Sequence, residues 1–141
     1  MKALSIKQPY ATSILRGTKT IELRSWQTAY RGDLLICTSQ TPAYFLRKMP
    51  ILDKEGRNKV VDEITEHESY MHFGKALCVV ELYDIRPMKE QDESDSESEY
   101  FDDLFSWCLR NVRPIKPFEV IGKLNLFEVN EPIVYIKGVA H

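Results

Sequence analysis

A short segment near the N-terminus combines side chains that could carry chemistry. The octapeptide 17–24 holds Lys19, Glu22 and Arg24, and Trp26 follows it two residues later. An arginine can hold a phosphate or a carboxylate through two parallel hydrogen bonds, and an indole can stack on a base. These residue types in one segment predict a site for a small molecule or a nucleobase. The alternative is an ordinary surface ion pair, worth only ~0–1 kcal/mol.

Lys19 and Glu22 could also act as an acid–base pair. A lysine at its reference pKa of about 10.4 is almost fully charged at pH 7, so a role as a base needs a shift of roughly three units. A neighbouring Arg24 would favour that shift, whereas a directly paired Glu22 would keep Lys19 charged and become the base itself. The segment therefore favours binding, or hydrolysis assisted by Glu22, over catalysis by a lysine base.

Four further residues are candidates for the same cleft. Lys7 and Gln8 precede a predicted helix, whose first turn carries free N–H groups and a partial positive charge that attract anions. Glu81 interrupts an apolar strand, so we expect it either at an edge of the sheet or facing the cleft. Trp107 is a candidate cleft residue, and a place in the core is the alternative for it.

The elements that must position these residues follow from the hydrophobic periodicity. Pro9 and Gly17 bracket a helix of about two turns. Strands are predicted at 3–6, 20–24, 34–37, 76–83, 105–110, 120–129 and 133–136. With two or three short helices and no regular βαβ alternation, this pattern predicts an α+β fold, a mostly antiparallel β-barrel with short helices packed on it. The chain is expected to form a single domain, 1–141, with a helical insertion at 41–73.

Charge is unevenly distributed along the chain. The 19 lysines and arginines and 21 acids give a net charge of −2. Eight of the acids lie in 90–103, which has no base, so the remainder carries a net charge of +6. The basic part predicts an anionic partner. The acidic, serine-rich run 90–103 is expected to be a flexible loop that could dock a basic protein partner. Ordinary surface charge is the alternative for both.

Length and composition restrict the class of protein. A chain of 141 residues with 43% apolar and 28% charged residues is long enough to bury one core. No apolar run approaches ~18 residues, so no membrane association is expected. Three scattered cysteines without a CxxC pair indicate a reduced, cytoplasmic protein. His67 and His72 are spaced so that they do not share one helical face, and neither a metal nor a cofactor is predicted.

Several blocks of sequence carry a resemblance to a known family. In chain order the blocks are 3–11 (ALSIKQPYA), 17–24 (GTKTIELR) with Trp26, 31–36 (RGDLLI), and Trp107 followed by 122–124 (GKL). Together they closely resemble the ASCH domain family. The resemblance covers most of the chain except about 41–70 and 90–100, which look like insertions. It implies a PUA-like β-barrel, a cleft lined by the GxKxxExR segment, and the handling of RNA or nucleosides.

The family resemblance also implies enzymatic branches. One branch hydrolyses the amide of acetylated cytidine with a lysine, a threonine three residues later and a separate glutamate, and other members cleave RNA. Here Lys19 matches the lysine, but Glu22 stands where that threonine is expected. The match to the amidohydrolase branch is therefore incomplete.

The sequence thus predicts an RNA- or nucleoside-binding domain. Its ligand contacts are expected to be Lys7, Gln8, Arg24 and Trp26, with Glu81 and Trp107 as further candidates. The alternative is a metal-independent hydrolase of a modified nucleoside or of RNA that uses Lys19 and Glu22. A third hypothesis is an interaction module whose acidic loop binds a basic protein.

Overall fold

The computed structural model describes residues 1–40 and 72–136, which form one sheet with short helices beside it. Strands β1 to β6 are Lys2–Ile6, Ile21–Arg24, Gly32–Thr38, Lys75–Pro87, Phe105–Glu119 and Phe127–Glu128. Helix α1 spans Tyr10–Arg16, a 3₁₀ turn spans Glu90–Asp92, and helix α2 spans Glu93–Ser96.

The six strands lie in the order β2-β5-β4-β3-β1-β6. All neighbouring pairs are antiparallel except β1 and β3, which run parallel. Because of that pairing, β1 and β3 end side by side, with Ile6 opposite Thr38. The chain continues from these two ends into Lys7 and Ser39, which therefore lie at the same end of the sheet. The short edge strand β2 pairs with β5 and places Glu22 opposite Trp107.

Apolar side chains are buried on both faces of the sheet. Successive residues of a strand point to opposite faces, and β3 shows this directly: Leu34 and Ile36 belong to one buried cluster, Leu35 and Cys37 to the other. Helix α1 adds Ile14 to the first cluster. A strand that is buried on both sides needs a continuous apolar run rather than an alternating one, which explains the sequence of β3.

Most predicted elements are confirmed, with differences at the end of the described chain. The α+β class, the helix between Pro9 and Gly17 and the first five strands are present. The predicted strand 120–129 is reduced to the two residues of β6, and 133–136 contributes a single bridge between Ile115 and Tyr135. Among the described residues the sheet has two free edges, β2 and β6, so the predicted barrel closure is not confirmed.

Two further predictions concern the insertion 41–73 and the acidic run 90–103. Almost all of the helical insertion predicted at 41–73 falls outside the described residues. The acidic run 90–103, expected as a loop, begins instead with the 3₁₀ turn and α2. Two of its residues, Asp92 and Ser96, are buried. Asp92 accepts hydrogen bonds from Arg86, from the Lys89 N–H and from Ser106. Ser96 belongs to α2, which packs beside β2.

Candidate functional site

Lys19 is held in a buried pocket between α1 and α2. Gly17, with a φ of 81°, ends the helix in the left-handed conformation that glycine adopts without strain, and the chain turns back so that the Lys19 N–H bonds to the Ser13 carbonyl. The side chain is only 4% exposed. Its Nζ donates a hydrogen bond to the Ser96 carbonyl and lies 3.6 Å from Oε1 of Glu22.

The surroundings of Lys19 have opposing effects on the pKa of its ammonium group. Burial lowers the pKa of Lys19 below its usual value, because removal of water disfavours the charged form. The charge of Glu22 and its contact with Nζ oppose this effect. Nζ also lies 5.4 Å from the centre of the Tyr10 ring, within the range of a cation–π contact. The ammonium group is therefore enclosed by an acceptor carbonyl, a carboxylate and an aromatic face.

Glu22 connects this buried lysine to an arginine nearer the surface. Its other oxygen, Oε2, accepts hydrogen bonds from Nε of Arg24 at 3.0 Å and from Nη2 at 2.8 Å. Nη2 also donates to the Ser5 carbonyl on β1 at 2.9 Å. The Arg24 side chain is 25% exposed, against 10% for Glu22. The carboxylate thus fixes the position of a guanidinium group that reaches solvent beside β1.

That guanidinium group lines a basic groove at the end of the sheet where β1 and β3 stop. The groove has a volume of about 590 Å³. It is lined by residues of β1 and its exit, by the end of β3, by Arg24 and by the loop 120–125 between β5 and β6. Among the lining residues in the described part of the chain, three are cationic, Lys7, Arg24 and Lys123, and none is acidic. A concave surface with charges of one sign concentrates ligands of the opposite sign, so this groove is suited to an anion.

The loop 120–125 lies very close to β1. A Cβ atom built on Gly122 would stand 2.8 Å from Oγ of Ser5 and 3.2 Å from its Cβ, closer than real Cβ atoms approach other groups. Only glycine therefore fits here without a shift of the loop or of the Ser5 side chain. The loop bends at Asn125, whose φ is 60°. This contact places Lys123 over the groove.

The two tryptophans form a pair behind the site. Trp107 is completely buried, its Nε1 donates to the Trp26 carbonyl at 3.2 Å, and the two rings meet edge to face with their centres 4.7 Å apart. Trp26 is partly buried against the same apolar cluster. Trp107 therefore belongs to the core, and neither indole lines the groove.

Gln8 and Glu81 are placed away from the groove surface. Gln8 is fully buried; its Oε1 accepts the Thr12 N–H, and its Nε2 donates to the Thr12 hydroxyl and to the His72 carbonyl. Glu81 is half-exposed and forms a two-pronged ion pair with Arg110, which lowers the pKa of its carboxyl. Of the residues predicted as ligand contacts, the structure brings only Lys7 and Arg24 to the groove.

The acidic run adjoins the buried lysine rather than the groove. The carbonyl of Asp95 accepts a hydrogen bond from the Thr20 N–H. This bond holds α2 against the residue that precedes β2, next to Lys19. The docking of a basic partner on this run stays a prediction. Within 1–40 and 72–136, no three His, Cys, Asp or Glu residues are arranged to hold a metal ion. No helix in these ranges is long and apolar enough to cross a membrane.

Comparison with known proteins decides the family. The family model described as the ASCH domain matches residues 4–119. The chain belongs to the ASCH domain family. It is similar to activating signal cointegrator 1 of Mus musculus, with 28% identity over an alignment of 134 residues that covers 92% of this chain and 22% of that protein. The chain therefore spans less than a quarter of the length of this relative.

Solved structures of ASCH proteins also resemble it. Two are crystal structures of the ASCH protein from Zymomonas mobilis. A mutant of that protein gives 13% identity and a TM-score of 0.48, covering 84% of this chain and 74% of the other. The second gives 16% identity and a TM-score of 0.46, covering 84% and 72%.

The groove combines residues from inside and outside the matched ASCH segment. Lys7 and Arg24 lie within residues 4–119, whereas Gly122 and Lys123 follow it. In the sequence these last two residues contribute to the family resemblance, but they were not predicted as site residues. The sequence signal that could have indicated them is the pair Gly122-Lys123 between Ile121 and Leu124. A glycine and a lysine side by side interrupt the apolar run of the predicted strand 120–129.

Proposed function

We propose that this ASCH domain binds RNA through the basic groove, with phosphate groups held by Lys7, Arg24 and Lys123. The observation that supports the proposal is the meeting of three cations, from three separate parts of the chain, around a concave surface to which residues 1–40 and 72–136 contribute no carboxylate. The handling of RNA or nucleosides that the family resemblance implies agrees with this charge. The free thiols of Cys37, Cys78 and Cys108 support a reducing, cytoplasmic location.

Arg24 is the contact whose geometry is best defined. Glu22 and the Ser5 carbonyl occupy Nε and Nη2 of its guanidinium group. An arginine held in this way loses less side-chain entropy on binding than a free lysine. Lys19 supports the arrangement from the buried side, since it holds Oε1 of Glu22 while Arg24 holds Oε2. We therefore assign Lys19 and Glu22 as positioning residues and Arg24 as a ligand contact.

One observation favours the hydrolase alternative. Burial lowers the pKa of Lys19, as a lysine base would require. Against this, Nζ is enclosed by the Ser96 carbonyl and Glu22, and the side chain is only 4% exposed, which hinders contact with a substrate. The test is turnover of acetylcytidine and of RNA by the wild type and by Lys19→Met. Product formed by the wild type alone would favour the enzyme.

The binding proposal is tested by fluorescence anisotropy with a short labelled single-stranded RNA at several salt concentrations. Each phosphate contact on a single strand contributes about 0.7 to the slope of log affinity against log salt. Lys7→Ala and Lys123→Ala should each weaken binding and flatten that slope by about this amount. Lys89→Ala, which removes the same charge from an exposed site outside the groove, is the matched control. An equal effect of all three variants would refute binding in the groove.

A further inference from the structure

Two large apolar side chains are displayed to solvent beside the basic groove. Ile121 is 84% exposed and Leu124 is 90% exposed. In the two described ranges of the chain, the next most exposed large apolar residue is Val134, at 56%. Single apolar residues at a surface are common, but two so fully exposed on one short loop mark a contact surface.

The surroundings of these side chains indicate what they contact. Ile121 and Leu124 flank Lys123, and all three residues line the groove. A ligand that reaches Lys123 and the other two cations must be anionic, and the same ligand must offer apolar surface to the two aliphatic side chains. A nucleic-acid strand has both features, because its phosphates are charged and the faces of its bases are apolar.

The size of the groove restricts the form of that strand. Its volume of about 590 Å³ is that of a pocket for a small molecule, in the range of ~300–1,000 Å³. Such a space can admit an unpaired nucleotide. In an A-form duplex the base faces are covered by stacking, and proteins reach mainly the phosphates and the 2′-hydroxyl groups. Apolar side chains beside the groove therefore gain contact only with unpaired bases.

We propose that the loop 120–125 makes this site selective for single-stranded RNA, with Ile121 and Leu124 packing against unpaired bases while Lys123 holds the backbone. The selectivity rests on the proposed function of the groove. Gly122 lets the loop approach Ser5 closely and Asn125 lies at its bend, so the two aliphatic side chains stand on a backbone of defined shape.

The test compares a single-stranded RNA with the duplex of the same sequence, using wild type and the double variant Ile121→Ser/Leu124→Ser. Partial burial of two such side chains supports a loss of about tenfold in affinity for the single strand. Affinity for the duplex should stay within about twofold, and the salt slope should not change because no charge is removed. Both positions are exposed, so the variant should fold as the wild type does. Val134→Ser, at an exposed apolar position outside the groove, is the matched control.

The outcomes separate this inference from the proposed function. If the wild type binds neither RNA, the proposed function fails. If the wild type binds RNA and the double variant keeps the same ratio of single-strand to duplex affinity, the selectivity of the loop is refuted while binding in the groove stands. In that case the two side chains would be assigned to a protein partner with an acidic and apolar surface.

Discussion

The buried contact between Lys19 and Glu22 leads to a quantitative prediction for Glu22→Gln. The substitution keeps the size of the side chain and removes its charge, so the ammonium group of Lys19 loses its nearest counter-charge in a site that is 4% exposed. Opposite charges at about 4 Å interact by roughly 4 kcal/mol at an effective dielectric constant of ~20. Loss of one partner of a buried pair typically costs about 3–5 kcal/mol. We expect a loss of about 3 kcal/mol in the free energy of unfolding.

Lys19→Met should cost less than Glu22→Gln. Methionine retains the apolar stem of the lysine, and Glu22 keeps both hydrogen bonds from Arg24. The loss is mainly the hydrogen bond to the Ser96 carbonyl, whose removal leaves a buried acceptor unsatisfied at a cost of about 1–3 kcal/mol. In the double variant the buried charge that penalises Glu22→Gln is absent. The combined loss should therefore be smaller than the two single losses together, by more than about 1 kcal/mol.

The assay is urea unfolding followed by tryptophan fluorescence and by far-UV circular dichroism. Trp26 and Trp107 are the chain's two tryptophans, and their rings are in contact, so fluorescence reports on packing behind the site. Glu81→Gln is the matched control because it removes a carboxylate from an exposed ion pair and should change stability little. A Glu22→Gln variant within about 0.5 kcal/mol of the wild type, or losses that add in the double variant, would show that Lys19 and Glu22 are not a coupled buried pair.

The pH dependence of the same variants gives an independent readout. Because the pKa of Lys19 is lowered in the folded chain, the unfolded chain binds more protons between that lowered pKa and 10.5. Stability rises with pH where the unfolded state binds more protons. The contribution of Lys19 to the free energy of unfolding should therefore increase as the pH rises through this range. The difference in unfolding free energy between wild type and Lys19→Met should grow as the pH approaches 10.5, and a flat difference would contradict the burial of a titrating lysine.

Two further predictions concern other parts of the structure. Asp92→Asn should lower the free energy of unfolding by about 2–3 kcal/mol at neutral pH, because Arg86 loses the charge of its buried partner. Arg86 lowers the pKa of the Asp92 carboxyl, so the stabilisation by this ion pair is complete above pH 3.8 and is lost as the pH falls further. The free energies of unfolding of wild type and Asp92→Asn, measured in urea, should therefore converge in acid. Gly122→Ala should push the loop 120–125 from Ser5, with a cost of about 1 kcal/mol in thermal unfolding and weaker RNA binding. Adding Ser5→Ala, which removes the closest atom, should restore part of the thermal stability and part of the RNA affinity. If neither is restored, another contact sets the position of the loop.

Periodicity predicted the elements that depend on local sequence. Pro9 and Gly17 gave the limits of α1 because both act within one turn of the helix. The segment 120–129 was assigned to a strand because it is rich in apolar residues. Its first part instead follows the close approach of Gly122 to Ser5, a contact between residues far apart in the chain that no local pattern contains.

The sequence predicted which residues of the site lie together better than it predicted how deeply each of them is buried. Spacing grouped Lys19, Glu22 and Arg24 correctly, because i, i+3 and i, i+2 neighbours at a turn and strand lie close together. Spacing could not show that Lys19 is covered by Ser96, which is 77 residues away. Likewise, the alternation in β5 gives the face of Trp107 but not its burial. The groove also contains Lys123, which lines the same surface as Arg24 only because the chain folds, so local spacing could not reveal it.

The place where the chain leaves the sheet after β3 has a consequence for how this family can vary. The Gly74 N–H bonds to the Thr38 carbonyl, and the Thr38 hydroxyl bonds to the backbone of Lys75. The end of β3 and the start of β4 are thus hydrogen-bonded to each other directly, whatever segment connects them. The entropy of closing such a connection changes by only about 0.6 kcal/mol for each doubling of its length. Evolution can therefore lengthen, shorten or exchange the part of this connection that follows Gln40 while the pairing of the strands stays as it is.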